Sequence, residues 1–319
     1  MTPFLLADIA TFCSTETRER SVKIRRLNIG QDFTNSAREI RQSVALVTRN
    51  RPTSLERTLK SLRLQDVQPW EVVISDDSTE EYAPQVAAIV ENFGYHYVRG
   101  PQRGLYANRN HVAGRCAGTH VRTMDDDHEF PAGHFAACAA ALEKDSESVW
   151  IIGEHYPTTA NRDVPPACPG QLHPRGFSVG PPDPDNCWAI SDGATIFPRA
   201  LFDRGLRYVE AFRFGAVYLE FGSRLYWLGY RIRHLNTTHV FHHYDPSARS
   251  FHEPEEELAA QFFAMMSHSW RYQATLRNKI LTGLEIGRKT LRHGRMARAA
   301  ARTARMQFDL HMRSLDPQD

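Results

Sequence analysis

His120-Val121-Arg122-Thr123-Met124-Asp125-Asp126-Asp127 is the stretch that decides the fold. His120 to Met124 reads as a short core strand, and it runs directly into adjacent carboxylates. Such carboxylates repel one another, and a bound cation relieves the repulsion. Asp and Glu supply the hard oxygens that Mg²⁺ or Mn²⁺ prefers, and these ions commonly bind through one or two carboxylates plus substrate phosphates. An acidic triplet by itself is more often a solvated turn, so its surroundings decide.

Upstream, Val44-Ala45-Leu46-Val47 is an apolar run of buried-strand type, followed by the breaker Arg51-Pro52. Thr53-x-x-Glu56 reads as a capping box, and Leu55, Leu59 and Leu62 place an apolar stripe on one face of the helix that follows. Val72-Val73-Ile74 is the next strand and ends in Ser75-Asp76-Asp77-Ser78. Val86, Ile89, Val90 and Phe93 predict a second helix, stopped by Gly94. A third short strand is expected over 95–99 and, after a turn at Gly104, a helix over 106–117. This alternation predicts right-handed β-α-β units, hence an α/β fold with a doubly wound, mainly parallel sheet covered by helices on both faces. Ligands of such sheets sit outside the carboxyl ends of the strands, where Thr48, Asp76, Asp77 and the triplet all fall.

Downstream, Val149-Trp150-Ile151-Ile152 is another buried strand, and residues 157–184 are proline-rich with little periodicity. That stretch reads as a lid or acceptor-site loop, or as a plain insertion. Regular structure is expected over 188–197, a helix over 221–228, and two strands over 230–235 and 239–244. From Glu255 the chain reads as helical, and Arg288, Lys289, Arg292, Arg295, Arg298, Arg302 and Arg305 make its last part basic. Such a helix is most often a solvated face; peripheral contact with anionic lipid is the next reading, and nucleic acid is not expected because no aromatic residues interleave the charge.

A charged fraction of 24%, a hydrophobic fraction of 41% and a net charge of +2 over 319 residues describe an ordinary globular protein and exclude a disordered or nucleic-acid-coating one. The cysteines (Cys13, Cys116, Cys138, Cys168, Cys187) are odd in number and lack a C-x-x-C pair, which fits a reducing cytoplasm. Phe4-Leu5-Leu6-Ala7 is interrupted by Asp8 and has no basic region before it, so neither a signal peptide nor a membrane span is predicted. The expected location is cytoplasmic, in solution or peripheral on the inner face of a membrane. No G-x-x-x-x-G-K-[ST] or G-x-G-x-x-G occurs, so phosphate is not held by a glycine cradle and metal bridging takes its place. Arg109 lies on the helix between the two acidic strand ends, where it suits either a diphosphate or a carboxylate.

From about Val44 to His243 the chain resembles the family 2 glycosyltransferases, which have the GT-A fold. Val44 to Pro52 is similar to the family's opening strand and "T-x-N-R-P" turn, and Val72 to Thr79 to its "V-V-D-D-G-S-T" element. Gly104 to Asn110 resembles the "G-x-x-x-A-R-N" helix, and Thr123 to Asp127 the "L-D-x-D" metal motif. The resemblance implies a metal-dependent, inverting, hexosyltransferase-type enzyme. It would move a sugar from a nucleoside-diphosphate sugar to an acceptor hydroxyl on a glycan, a lipid-linked compound or a small molecule.

By that similarity Thr48, Asn50 and Asp77 belong to the nucleotide site, Arg109 supports the nucleotide, Asp125 or Asp126 faces the ribose, and Asp127, with Asp125, binds Mn²⁺ or Mg²⁺. The family's ligand histidine falls at His243 or His242; alternation puts them on opposite faces, and His243 is favoured for the Tyr244-Asp245-Pro246 that follows. The chain divides into an N-terminal extension of unknown role (1–42), a GT-A-like domain (43–250) with nucleotide-binding (43–128) and acceptor (129–250) halves, and a basic helical C-terminal extension (251–319).

The segment from Val217 to Leu225, followed by Gly229-Tyr230, is similar to the family's "E-D-x-E-x-x-x-R-L … G-Y", but Val217-Tyr218 replaces its acidic pair. Glu220 remains a candidate base, or pairs with Arg224 one helical turn on. Asp192 in Ile190-Ser191-Asp192-Gly193 is the other candidate base, or a turn-forming Asp-Gly. The missing pair keeps open a nucleotide-sugar-binding protein with impaired catalysis. A sugar nucleotidyltransferase would need a glycine-rich basic first loop, which Arg49-Asn50-Arg51-Pro52 is not.

Overall fold

A computed structural model describes residues 39–156, 165–244 and 253–315 of the chain. The N-terminal run Phe4-Leu5-Leu6-Ala7 and Cys13 lie outside the described residues, as do Asp245 and Pro246. The first half is built from β1 (Gln42–Thr48), α1 (Pro52–Arg63), β2 (Glu71–Asp76), α2 (Ala83–Phe93), β3 (His96–Arg99), α3 (Leu105–Ala113) and β4 (His120–Asp125). There follow β5 (His128–Glu129), α4 (His134–Lys144), β6 (Val149–His155), β7 (Gln171–Leu172), β8 (Ser178–Val179), β9 (Thr195–Pro198), α5 (Arg199–Asp203), α6 (Val217–Trp227) and β10 (Ile232–His242). The chain closes with α7 (Pro254–Ser267), a π-helical turn (His268–Tyr272) and α8 (Leu276–Leu315).

Eight strands form one sheet in the order β3-β2-β1-β4-β9-β6-β10-β5, and β7 and β8 form a separate ribbon. β1 pairs in parallel with β2 and β4, β2 with β3, and β6 with β10. β9 runs antiparallel between β4 and β6, and β5 runs antiparallel to β10. The sheet is thus mainly parallel, as the strand–helix alternation predicts, with β9 reversed at its centre. Every residue of β1 is buried because helices cover both faces. Alternation sends Val44 and Leu46 into a cluster with Leu55, Leu59, Val86 and Phe135, and Ala45 and Val47 into another with Val112, Phe221 and Phe262. The register sets Thr48 beside Asp76 and Val47 beside Asp125, so the strand ends share one edge.

Several sequence expectations need correction. Thr53-x-x-Glu56 forms no capping box: Arg51 is the N-cap, without a side-chain cap bond, and Pro52 opens α1. Proline suits that position because its missing N–H would have no helical partner. The helix expected to reach 117 ends at Ala113. The two strands expected over 230–244 are one strand, β10, whose register shifts between Leu235 and His239 at a bulge. Regular structure over 188–197 is confined to β9.

The C-terminal helical extension packs into the core of the domain. Phe262, Phe263, Met265, Ala297, Ala300 and Ala304 sit in the same core cluster as Val47 and Phe221. α7 is apolar around most of its girth, as a buried helix must be. α8 is bent at Gly294, whose φ of 57° and ψ of −120° leave the helical region. Among the described residues no helix is long and apolar enough to cross a membrane. Cys116, Cys138, Cys168 and Cys187 are buried free thiols.

Gly222 of α6 lets that helix lie directly against the chain that leads to Asp192. A Cβ there would sit 2.8 Å from the Ile190 amide nitrogen and 2.9 Å from Ala189 Cα. Gly222→Val is therefore expected to lower the unfolding free energy by roughly 1–3 kcal/mol, the usual range for overpacking a tight core. Urea denaturation of both proteins measures the difference.

Candidate functional site

The carboxyl ends of β1, β2 and β4 open into a cavity of about 590 Å³ lined by Thr48, Arg49, Arg51, Asp77, Asp125, Asp127, Glu154, Asp192, Tyr218 and His242. That volume lies within the usual range for small-molecule sites, about 300–1,000 Å³. The described part of the proline-rich stretch forms another wall through Pro166, Ala167, Cys168, Pro169 and Val179.

The acidic triplet is split by the alternation of side chains along the chain. Asp125 and Asp127 line the cavity, whereas Asp126 is fully buried away from it. Asp126 accepts a hydrogen bond from Thr48 Oγ1 (2.7 Å) and pairs with Arg51. Burial pushes its pKa up to about 7 against the pull of Arg51. The expectation that Asp126 faces a ribose is therefore corrected: it anchors the β1 turn. Burial also opposes the ionisation of Asp127, but the nearby imidazoles of His242 and His128 and the Arg51 guanidinium outweigh it and hold this carboxyl below its ordinary range.

His242 rather than His243 belongs to this corner. Its Nε2 is 3.6 Å from Asp127 Oδ2, and its Nδ1 is held 2.9 Å from Glu154 Oε2. His243 points to the other side of β10, with Nε2 2.6 Å from Glu129 Oε2, and only its backbone N–H reaches the Asp127 carbonyl, at 2.9 Å. The preference for His243 is thus reversed: His242, paired with His128 across β10 and β5, carries the ring that faces the cavity. His128, which sequence reasoning missed, is fully buried with its ring 5.0 Å from that of His242. Among the described residues neither of its ring nitrogens, nor Asp127 Oδ1, has a hydrogen-bond partner. Ligand atoms of Asp127, His128 and His242 all lie within 4.8 Å of one another. Unpartnered donors of this kind, converging at a buried point, fit a divalent cation, and Glu154 orients the His242 ring as an outer-shell carboxylate would.

Arg109 is fully buried and does not line the cavity; its Nη2 lies 2.8 Å from Asp125 Oδ1 and its Nε 3.1 Å from Asp192 Oδ1. The expected role of supporting a nucleotide becomes one of positioning two carboxylates. Asn50 does not line the cavity either. With φ at 54°, it clamps the turn by accepting from the Thr79 amide (2.9 Å) and donating its own amide to Ser78 Oγ (2.8 Å). Its neighbours Arg49 and Arg51 reach the cavity instead. Asp77 faces in as expected: Oδ1 accepts from the Gln102 amide at 2.9 Å, Oδ2 has no hydrogen-bond partner among the described residues, and burial raises its pKa.

The two candidate bases separate cleanly. Glu220 is fully buried and absent from the cavity, paired with Arg224 at 3.1 Å, with the Tyr272 hydroxyl at 2.6 Å and with His311 Nε2 at 3.1 Å. It is a structural ion cluster, and its candidacy as a base is withdrawn. Tyr218 is the α6 residue that faces the cavity, and burial followed by the nearby Asp192 raises its pKa so that it keeps its proton. Asp192 lines the cavity too, held by the same Arg109 that pairs with Asp125. Burial raises its pKa to about 7, with Arg109 pulling down and Asp125 pushing up. Gly193 allows this approach: a Cβ there would run into the Asp125 carboxylate and lie 2.9 Å from the His128 ring.

Comparison with known proteins places this arrangement in context. The glycosyl transferase family 2 model matches residues 43–206. The GalNAc(5)-diNAcBac-PP-undecaprenol beta-1,3-glucosyltransferase of Campylobacter jejuni is 28% identical over 109 residues, 33% of this chain and 34% of that protein. The uncharacterized glycosyltransferase YwdF of Bacillus subtilis is 31% identical over 107 residues, 32% of this chain and 38% of that protein. The matched region therefore spans little more than a third of either relative. Among solved structures, GalNAc-T7 with UDP, GalNAc and Mn²⁺ aligns with a TM-score of 0.58 at 18% identity, covering 72% of this chain and 48% of that one. S. aureus TarS 1-349 in complex with UDP-GlcNAc aligns with a TM-score of 0.54 at 17% identity, covering 86% and 92%. These neighbours bear out the GT-A-like architecture.

The Glu220 cluster gives a stability prediction. Burial alone would raise its pKa, but Arg224, then His311 and Tyr272, hold it at about 2 from an ordinary 4.5. A depressed folded-state value means stability that is full above pH 4.5 and is lost as pH falls toward 2; the shift corresponds to roughly 3 kcal/mol. Glu220→Gln is expected to remove most of this at neutral pH and to flatten the acid slope of stability, as followed by urea titrations from neutral to acid pH.

Proposed function

Because the chain belongs to glycosyl transferase family 2, we propose that its cavity transfers a sugar from a nucleoside-diphosphate sugar to an acceptor hydroxyl with inversion. One observation carries the reading: Asp125 and Asp127 face the cavity from the end of β4 while Asp192 faces it from the segment before β9, with Arg109 bridging Asp125 to Asp192.

Asp127, His128 and His242 would hold a divalent ion, with Asp125 beside them. Two imidazoles make Mn²⁺ a better fit than Mg²⁺, which prefers an all-oxygen shell. When bound, the ion offsets charge growing on the departing diphosphate. Arg49 and Arg51 bring further positive charge to the same edge, and Asp77 Oδ2 and Thr48 offer polar contacts for the nucleoside. The UDP and UDP-GlcNAc bound by the solved neighbours make a uridine nucleotide the donor to test first. The name of the Campylobacter relative makes a lipid-diphosphate-linked glycan the first acceptor to test.

In the transfer, Asp192 takes the proton of the acceptor hydroxyl. The acceptor oxygen bonds to the anomeric carbon as the bond from that carbon to the leaving phosphate oxygen breaks, and the nucleoside diphosphate departs. A carboxyl whose pKa is raised toward neutrality is a better base than an ordinary one and remains ionised enough to act. Tyr218, standing where the family places an acid, supports a second reading in which donor binds without turnover; release of nucleoside diphosphate separates the two.

Asp127→Ala is expected to lower Mn²⁺-dependent UDP affinity at least about tenfold, as loss of a metal ligand should. Calorimetry with and without Mn²⁺ reads the change, and retained metal-dependent affinity would remove Asp127 from the metal site. Asp192→Asn is expected to slow turnover by roughly 10²–10⁴-fold while leaving UDP affinity nearly unchanged. Unaltered turnover in that variant would move the base elsewhere.

A further inference from the structure

The part of α8 before Gly294 turns its polarity inside out. Its fully buried residues are polar, with Asn278, Thr282 and Glu285 pointing into the protein and Ile286 packed beside them. Thr282 Oγ1 donates to the Pro174 carbonyl (2.8 Å), Asn278 Nδ2 to the Gln273 carbonyl (2.9 Å), and Glu285 pairs with Arg175 (3.1 Å). Its outer face carries Leu276, Ile280, Leu284 and Leu291, with exposures of 75%, 52%, 67% and 89%. On a 3.6-residue turn these four lie within an arc of about 80° and run along about 23 Å of helix. Gly283 and Gly287 share that face, with nothing near the position of an added Cβ. A helix bathed in water places such residues inward, so this face is made for an apolar environment.

Charge identifies that environment. Arg277 and Lys279 flank the stripe on its two sides and Arg292 lies beyond them, while Arg288 is engaged by Glu285. The whole of α8 holds ten Lys and Arg against two acidic residues, although the chain's net charge is only +2, so the rest of the molecule is net negative. We propose that residues 276–293 lie in the plane of an anionic bilayer, with the leucines and isoleucine in the boundary between headgroups and acyl chains and the flanking cations on lipid phosphates. A basic amphipathic helix with an apolar face toward the lipid is the form that binds such surfaces. A second copy is the poorer occupant, since pairing two such stripes sets basic flanks against basic flanks.

The basic run expected to touch lipid thus divides at Gly294. Beyond it Ala297, Ala300 and Ala304 are spent on the core, and the lipid-facing stripe lies before it. None of its residues lines the cavity, so the proposal stands apart from the glycosyltransferase reading.

The test is co-sedimentation of the full chain with vesicles of phosphatidylcholine alone or mixed with phosphatidylglycerol, at low and high salt. The expected result is binding to the mixed vesicles only, weakened by salt. Leu284→Ser combined with Leu291→Ser should lower the partition by roughly tenfold or more with thermal melting unchanged, because both side chains are exposed. Leu284→Trp should give a blue-shifted emission with mixed vesicles and none with neutral ones. No binding by the parent protein, equal binding by the serine variant, or an unshifted tryptophan overturns the proposal. A self-associated species in sedimentation velocity that the serine variant abolishes, without vesicle binding, overturns it in favour of a second copy.

Discussion

A guanidinium sealed in the protein interior holds the two halves of this molecule in register. Arg109 is completely buried, and a buried cation is tolerated only when carboxylates and hydrogen bonds replace the water it has lost. Asp125 at the end of β4 and Asp192 in the segment before β9 supply that replacement, which ties together the two sides of the cavity. The rest of α3 follows the same logic. Asn108 donates to the Ser75 carbonyl, Asn110 to the Tyr208 carbonyl and the Tyr106 hydroxyl to the Gly215 carbonyl. α3 is thus buried around most of its girth, largely by polar residues held against fixed partners, and a buried polar network of this kind specifies one arrangement where oily packing would admit several.

The same constraint explains how adjacent aspartates coexist. Each has a different device against repulsion: Asp125 is neutralised by Arg109, and Asp126 is buried against Arg51 and Thr48. Asp127 shares Arg51 and His242 but keeps one oxygen without a partner among the described residues, beside the equally unpartnered His128. Excess ligand capacity is concentrated at that corner, which is why the metal reading narrows to Asp127 and two histidines rather than to the triplet as a whole.

The strand ends were legible because strand-helix alternation dictates a parallel sheet, and a parallel sheet collects its ligands at one edge. The same rule reaches Glu154, at the end of β6, had it been extended past the first half of the chain. Alternation along the triplet and into His128 separates Asp126 from its neighbours, so those assignments were within reach of sequence. Glu220 was not. Its partners Tyr272 and His311 stand 52 and 91 residues downstream, and nothing in the local pattern announces that a helix thought to be an appendage closes over it. The choice between His242 and His243 also depended on strand register, which shifts by three residues between Leu235 and His239 where periodicity gives no sign of it.

Helices α3 and α8 make one further point about reading polarity from sequence. In both, polar side chains face inward, and in both they are stable because the interior offers partners: carbonyls and carboxylates for α3, and Pro174, Gln273 and Arg175 for α8. The inward face therefore cannot be inferred from hydrophobicity alone where a polar network exists to receive it. The difference lies outside. α3 is enclosed on all sides, so its reversed polarity is complete within the fold. The first part of α8 leaves four large apolar side chains in water, and no interaction within the described residues offsets that exposure. A fold that satisfies every polar group on the inner face of a helix while leaving the outer face apolar has settled its own interior, and the remaining free energy is available only to a surface the helix meets.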